Sequence, residues 1–170
     1  MCSSVLYPSP IGPLRLVGDE NGLTHLLFPE QPTPLGMIEE ETPLLRQAVQ
    51  ELDEYFAGRR REFTVPLRPG GTPFQQEVWA ALLTVPYGRT VSYRDIAAQI
   101  GRPSAARAVG GANGSNPLPI LIPCHRVIAA GGSLGGYSLG LEVKRRLLEL
   151  EGVRLPVRPS PLALPAKSVM

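Results

Sequence analysis

The sequence predicts two small domains. The first is an α/β N-terminal domain. The second is a mostly α C-terminal domain with a helix-turn-helix and a short sheet near Cys124. Three observations carry this expectation. Short β-prone segments broken by Pro and Gly fill the start of the 170-residue chain. A Gly/Pro stretch then separates them from the rest. Beyond it, two short helical patterns joined by a glycine precede an apolar run that ends in Pro123-Cys124-His125. A chain of this length holds one domain or two small ones, and 43% hydrophobic residues suffice for a packed core.

Each element follows from local pattern. Val5–Tyr7, Leu14–Val17 and Leu23–Phe28 are apolar, short and punctuated, which reads as a strand meander. Leu44, Leu45, Ala48, Leu52, Tyr55 and Phe56 fall at helical spacing, with Gly58 as the stop. This places the first domain at 1–67. Residues 68–73, RPGGTP, are a linker by composition. The second domain spans 74–152. It opens on an amphipathic helix marked by Phe74, Val78, Ala81 and Leu82 and closed before Pro86-Tyr87-Gly88. Ser92 with Asp95 three residues on is a capping box, and Ile96, Ala97 and Ile100 form an apolar face. Gly101 supplies a left-handed stop, and Pro103 starts a second helix over 104–112. Leu118–Ile122 predicts a strand or extended segment leading to Cys124. Residues 153–170, with four prolines and no periodicity, read as a loose tail.

Composition narrows the classes. Two cysteines, Cys2 and Cys124, exclude a disulfide scaffold and a Cys-based zinc finger. No apolar run reaches the ~18 residues of a membrane helix, and the first residues lack a basic start and apolar stretch. The expectation is a cytoplasmic protein with no membrane partner. The net charge of +2 hides an asymmetry. Residues 1–67 carry ten acids and five bases, a net of −5, whereas 89–146 carry eight bases and two acids, a net of +6. Such a basic segment can contact phosphates, or it can simply be a solvated face.

The two short helices joined by a tight glycine turn form a helix-turn-helix. Its second helix is rich in Ala and Gly with one long side chain, Arg107, and can approach a nucleic acid backbone closely. An ordinary helical hairpin fits these residues equally. Cys124 at the end of an apolar segment, with His125 beside it, is a candidate nucleophile and base. Asn116, eight residues earlier, can hold the intervening turn. A buried structural cysteine beside a satisfied histidine fits the isolated pair as well. A metal site would need Cys2, Cys124, His25 and His125 to converge, so none is expected.

Taken together, FQQEVWAAL, PYGRTVSYRDIA, AARAVGGANGSNPLPILIPCHRVI, GYS and GLEVKRRLLELEG resemble the catalytic domain of the O6-alkylguanine-DNA alkyltransferases. SPIGPLRLVGDENGL is similar, more weakly, to that family's smaller α/β domain. The resemblance covers about 150 residues and implies a single-use repair protein without cofactor. The implied partner is double-stranded DNA carrying O6-alkylguanine, and the implied state is a monomer. Direct reversal would transfer the alkyl group from O6-alkylguanine, and from O4-alkylthymine, to Cys124 after base flipping. His125 is implied as the group that takes the thiol proton through a water, and Glu151 as the carboxylate that orients it. Asn116 is implied as the hinge, and Tyr93 as the residue that turns out the nucleotide and assists the leaving guanine. Arg107 is implied as the arginine that fills the vacated stack. Ser92, Arg94, Ala105, Ala106, Ala108 and Gly110 complete the implied DNA-facing surface. Backbone groups of Cys124, Val127 and Ser138, with Tyr137 against the base, make the implied guanine pocket, and Lys144 lies near it. A lesion-binding protein or regulator without turnover is the alternative, and a thiol hydrolase is a third reading.

Three departures and contrasts refine this. Where the family usually has two glycines after Tyr-Ser, this chain has Leu139-Gly140. A leucine at the pocket rim predicts a stronger preference for methyl over bulky adducts. Asp19 and Thr24 stand where some relatives hold zinc ligands, so no zinc is expected. Other relatives carry tryptophan at the acceptor position, and Cys124 argues against that class.

Overall fold

The computed structural model describes residues 2–129, 134–137 and 139–155. The chain divides into two compact units, Met1–Gly70 and Gly71–Met170.

In the first unit, β1 (Ser3–Ser9), β2 (Gly12–Asp19) and β3 (Gly22–Leu27) form the expected antiparallel meander. A two-residue strand, β4 (Ile38–Glu39), adds parallel to β1, giving the order β3-β2-β1-β4. Nothing in the sequence marks β4, because two exposed residues in a polar stretch carry no alternation. Helix α1 (Pro43–Phe56) starts at Thr42, whose hydroxyl accepts from Leu45 N–H, and ends with Gly58 at φ 77°. It packs on β1 and β2, and Leu45, Ala48, Leu52 and Tyr55 of the helix are buried, as are Tyr7, Leu14 and Leu16 of those strands. One helix residue is a buried acid. Glu51 accepts from the Thr64 and Val65 amides at 2.9 and 3.1 Å and from Gln47 at 3.0 Å, which pins the chain after α1 to the helix.

The second unit is mostly helical. Thr72 and Gln75 form a capping box that starts α2 (Pro73–Leu82). Trp79 on α2 donates its indole N–H to Ala112 O at 2.9 Å. Strand β5 (Val91–Ser92) runs directly into α3 (Tyr93–Gln99), capped by Ser92 and Asp95 as the spacing predicts. Gly101, at φ 77°, closes α3 in a Schellman motif: Arg102 N–H reaches Ala97 O, and Gly101 N–H reaches Ala98 O. The second helix, α4, spans Ala106–Gly114 rather than 104–112. Pro103 does not open it, because Arg102–Ala105 is a β-turn closed by Ala105 N–H on Arg102 O at 2.9 Å.

The segment 118–122 is not a strand. Ile122 N–H bonds Leu118 O at 2.8 Å, and Ile120 sits at φ 77°, a left-handed conformation that a β-branched residue adopts only under constraint. The short sheet near Cys124 does exist, but it pairs β5 in parallel with β6 (Val127–Ile128). Helix α5 (Leu141–Leu150) completes the unit, with Glu151 as its C-cap and Gly152 at φ 86°. Among the described residues no helix is long and apolar enough to cross a membrane. Residues 156–170 of the expected tail lie outside the described residues.

Candidate active site

Cys124 is the first residue of a single 3-10 turn, Cys124–Arg126, that leads into β6. The turn is held from two sides by asparagines. Asn116 donates to Ile122 O at 2.8 Å and accepts from Leu118 N–H at 2.9 Å, spanning the Ile120 turn. Asn113 on α4 donates to Cys124 O at 3.3 Å. The thiol is buried, with 3% of the residue exposed, and Sγ lies 3.3 Å from Tyr137 Oη. Burial pushes its pKa up, while hydrogen bonds from Tyr137 and Asn116 and the charge of Lys144 act in the opposite sense. The resting sulfur is therefore a thiol.

His125 has no exposed surface. Its Nε2–H donates to Glu151 Oε2 at 2.7 Å. That fixes the tautomer with the lone pair on Nδ1, which has no hydrogen-bond partner among the described residues. Burial, reinforced by the charges of Arg126 and Lys144, lowers the imidazole pKa despite the pull of Glu151. Burial also favours the neutral form of Glu151, but His125 and Arg126 outweigh it and hold the carboxyl well below the usual range. The site thus combines a protonated thiol, a neutral imidazole with an available lone pair, and an ionised carboxylate that orients it. This is the arrangement of nucleophile, base and orienting group.

Lys144 is fully buried on α5. Its ammonium donates to Val127 O and Leu134 O at 2.6 Å each and to Gly136 O at 3.3 Å, and it lies 5.6 Å from the Tyr137 ring centre. It ties the segment bearing Tyr137 to β6, and burial brings its pKa down to about 8. Val127 is buried, and its carbonyl is one of those three acceptors. Ser138 lies outside the described residues.

Tyr93, the first residue of α3, is half-buried, with its ring close to the Cα of two glycines. A methyl group added at Gly110 or Gly135 would meet the ring at 3.8 or 3.9 Å. Burial, and then the nearby Cys124 sulfur, raise its pKa, so its phenol keeps its proton. Arg94, Arg107 and Ala108 are exposed, whereas Ala105, Ala106 and Gly110 are half-buried. Ser92 is buried, and its hydroxyl accepts from Asp95 N–H at 3.0 Å. Its visible work is capping α3.

Sequence reasoning missed two residues that the structure brings to the centre. Arg126 binds Glu151 through Nε at 2.8 Å and Nη2 at 2.9 Å, and Asn113 reaches Cys124 O. Arg126 could have been found from its place beside His125, because a buried base and acid pair needs a charge partner. Asn113 carries no such signal. No group of His, Cys, Asp and Glu suited to a metal ion occurs among the described residues.

Residues 73–153 match the DNA binding domain of 6-O-methylguanine DNA methyltransferase, and residues 4–69 match its ribonuclease-like domain. The chain belongs to this alkyltransferase family. A methylated-DNA–protein-cysteine methyltransferase of Mycobacterium tuberculosis is 55% identical over 151 residues, covering 87% of this chain and 91% of that protein. The protein of the same name from Methanosarcina acetivorans is 48% identical over 151 residues, covering 86% and 96%. The crystal structure of Mycobacterium tuberculosis OGT in complex with DNA superposes with a TM-score of 0.83 at 50% identity, covering 95% of this chain and 98% of that one. Cys124 and its buried thiol lie within the matched span 73–153.

Proposed function

We propose that this protein repairs alkylated DNA by moving the alkyl group of O6-alkylguanine, and of O4-alkylthymine, onto Cys124, once per molecule. The single observation that carries the proposal is that a buried Cys124 thiol is followed in the same turn by His125, whose Nε2–H is committed to Glu151 and whose Nδ1 lone pair is available. Sγ attacks the alkyl carbon, and the carbon–oxygen bond to the base breaks. The thiol proton passes to His125, in the family's manner through a water. The departing guanine receives a proton or hydrogen bond from Tyr93. The products are an S-alkyl thioether and an intact base.

The alkyl carbon lies inside the duplex, so the nucleotide leaves the stack at a cost of a few kcal/mol, less at a damaged pair. Arg107, exposed on α4, fills the gap. The Ala/Gly-rich face of α4 suits the minor groove, where sequence readout is degenerate and a lesion can be met in any context. Tyr137 and the backbone of Cys124 and Val127 line the base pocket. One lesion needs one acceptor, so a monomer suffices.

Intact-mass measurement after incubation with duplex DNA containing O6-methylguanine tests this. One methyl group on the wild type and none on Cys124→Ala is the expected result. Lesion binding without a mass change, or repeated product release with Cys124 unmodified, overturns it.

A further inference from the structure

Among the described residues of the second unit, Arg126 and Lys144 are the buried cations that the proposed chemistry leaves without a task. The contacts of Arg126 are specific. Nε and Nη2 clasp the two oxygens of Glu151 at 2.8 and 2.9 Å, and Nη1 donates to Val85 O at 2.8 Å. The guanidinium carbon lies 5.7 Å from the Tyr87 ring centre. Glu151 Oε1 also receives Gly88 N–H at 3.3 Å, and Oε2 receives His125 Nε2–H at 2.7 Å. Four donors thus occupy about the four acceptor sites a carboxylate offers.

The geometry points to Arg126 as a positioning residue of the acceptor site, one that shares Glu151 with His125 so that the imidazole stays neutral and fixed. The inference rests on the role proposed above for His125. A lone buried carboxylate 2.7 Å from an imidazole would favour the imidazolium. An imidazolium already holds the proton that the base must accept, so it would stall the reaction. With Arg126 on the same carboxylate, the acid is already neutralised, and His125 gains an oriented hydrogen bond without a net negative neighbour.

The other groups facing His125 act in the same direction or are neutral. Lys144, on α5, is a second cation. Cys124 is a thiol, and its neighbour Tyr137 is a phenol. On α2, which also packs on this turn, the acid is Glu77, which is exposed and pairs with Arg102 at 3.5 Å, and α4 brings the neutral Asn113 to Cys124 O. A lysine in place of Arg126 would keep the charge but not the two-pronged geometry.

The test uses the full chain and two readouts. The first is the protonation midpoint of His125, followed by nitrogen NMR of the imidazole without DNA. The second is the single-turnover rate at saturating methylated duplex as a function of pH. In Arg126→Met the midpoint should rise by about one pH unit or more relative to wild type, and the acidic limb of the rate should move with it, about a tenfold loss on that limb per unit. Arg126→Lys should restore the midpoint but not the full plateau rate. A merely structural arginine would lower stability and leave the midpoint in place. A wild-type midpoint in Arg126→Met overturns the inference. If Arg126→Met does not fold, Arg126→Lys carries the test, and a full wild-type plateau overturns it. Because the NMR midpoint needs no methyl transfer, failure of the proposed reaction and failure of this inference are separable.

Discussion

Asn116 offers a prediction whose size can be worked from the structure. Replacing it with alanine removes the acceptor of Leu118 N–H, which belongs to a residue with no exposed surface. A buried N–H left unpaired costs ~1–3 kcal/mol. The lost bond to Ile122 O costs less, ~0.5–1.5 kcal/mol, because that oxygen keeps Cys124 N–H at 2.7 Å. Against these losses stands the left-handed Ile120, whose strain of ~1–3 kcal/mol is released if the turn relaxes. The net loss should therefore be modest, about 1–3 kcal/mol. Against a total stability of ~5–15 kcal/mol, the variant stays folded. Its chemistry should suffer more. Cys124 hangs on Ile122 O, so a relaxed turn moves the sulfur, and a displacement of ~1 Å can cost ~100-fold in rate. Urea unfolding and single-turnover methyl transfer on the same samples check this. A rate loss no larger than the unfolded fraction explains would refute the reasoning. So would a stability loss with no change in rate.

Three further outcomes follow from the geometry. Glu51 is held below its ordinary pKa because hydrogen bonds from Thr64, Gln47 and Val65 outweigh its burial. Its stabilisation is complete above the unfolded value of 4.5 and is lost as pH falls through the lower folded value. Acid unfolding of the first unit, followed by circular dichroism, should lose part of its pH dependence in Glu51→Gln, with ~1–3 kcal/mol lost at neutral pH. Lys144 titrates near 8 in the native chain, against 10.5 as its ordinary value, so between those values the unfolded chain holds a proton the native one lacks. Its contribution to stability rises with pH in that window while its grip on three carbonyls weakens. Methyl transfer should decline above about pH 8 without a matching loss of stability, and Lys144→Met should be slow already at pH 7 and lack that limb. Leu139→Gly should raise the rate on benzylguanine relative to methylguanine, and an equal preference in both proteins would remove leucine from the rim.

Much of this architecture was legible in the residues. Ser92 and Asp95 announce the start of α3, Gly58 and Gly101 announce helix ends, and the run around Cys124 marks the proposed acceptor site. These signals are local, so a short window suffices. The misses share the opposite property. Pro103 fits the first turn of a helix or the second position of a β-turn, and only the closure of Ala105 on Arg102 decides between them. Leu118–Ile122 has a strand's composition, yet Asn116 bends it, an override of propensity by one side chain. Strand β4 exists only because β1 presents an edge to it. Arg126, Asn113 and the three carbonyls under Lys144 are contacts between distant segments, which periodicity does not encode.

The raised pKa of Cys124 has a consequence beyond the transfer step. The thiolate is the form that attacks peroxide and disulfides, and exposed cysteines of low pKa are consumed first. Cys124 is buried and protonated, whereas Cys2 is half-exposed. Graded peroxide followed by peptide mass mapping should mark Cys2 well before Cys124, and the reverse order would sink this reading. A protein that can act only once must not be spent on the wrong electrophile. For the role proposed above, the same burial that makes the sulfur a poor nucleophile at rest preserves it against oxidants until a lesion reaches it.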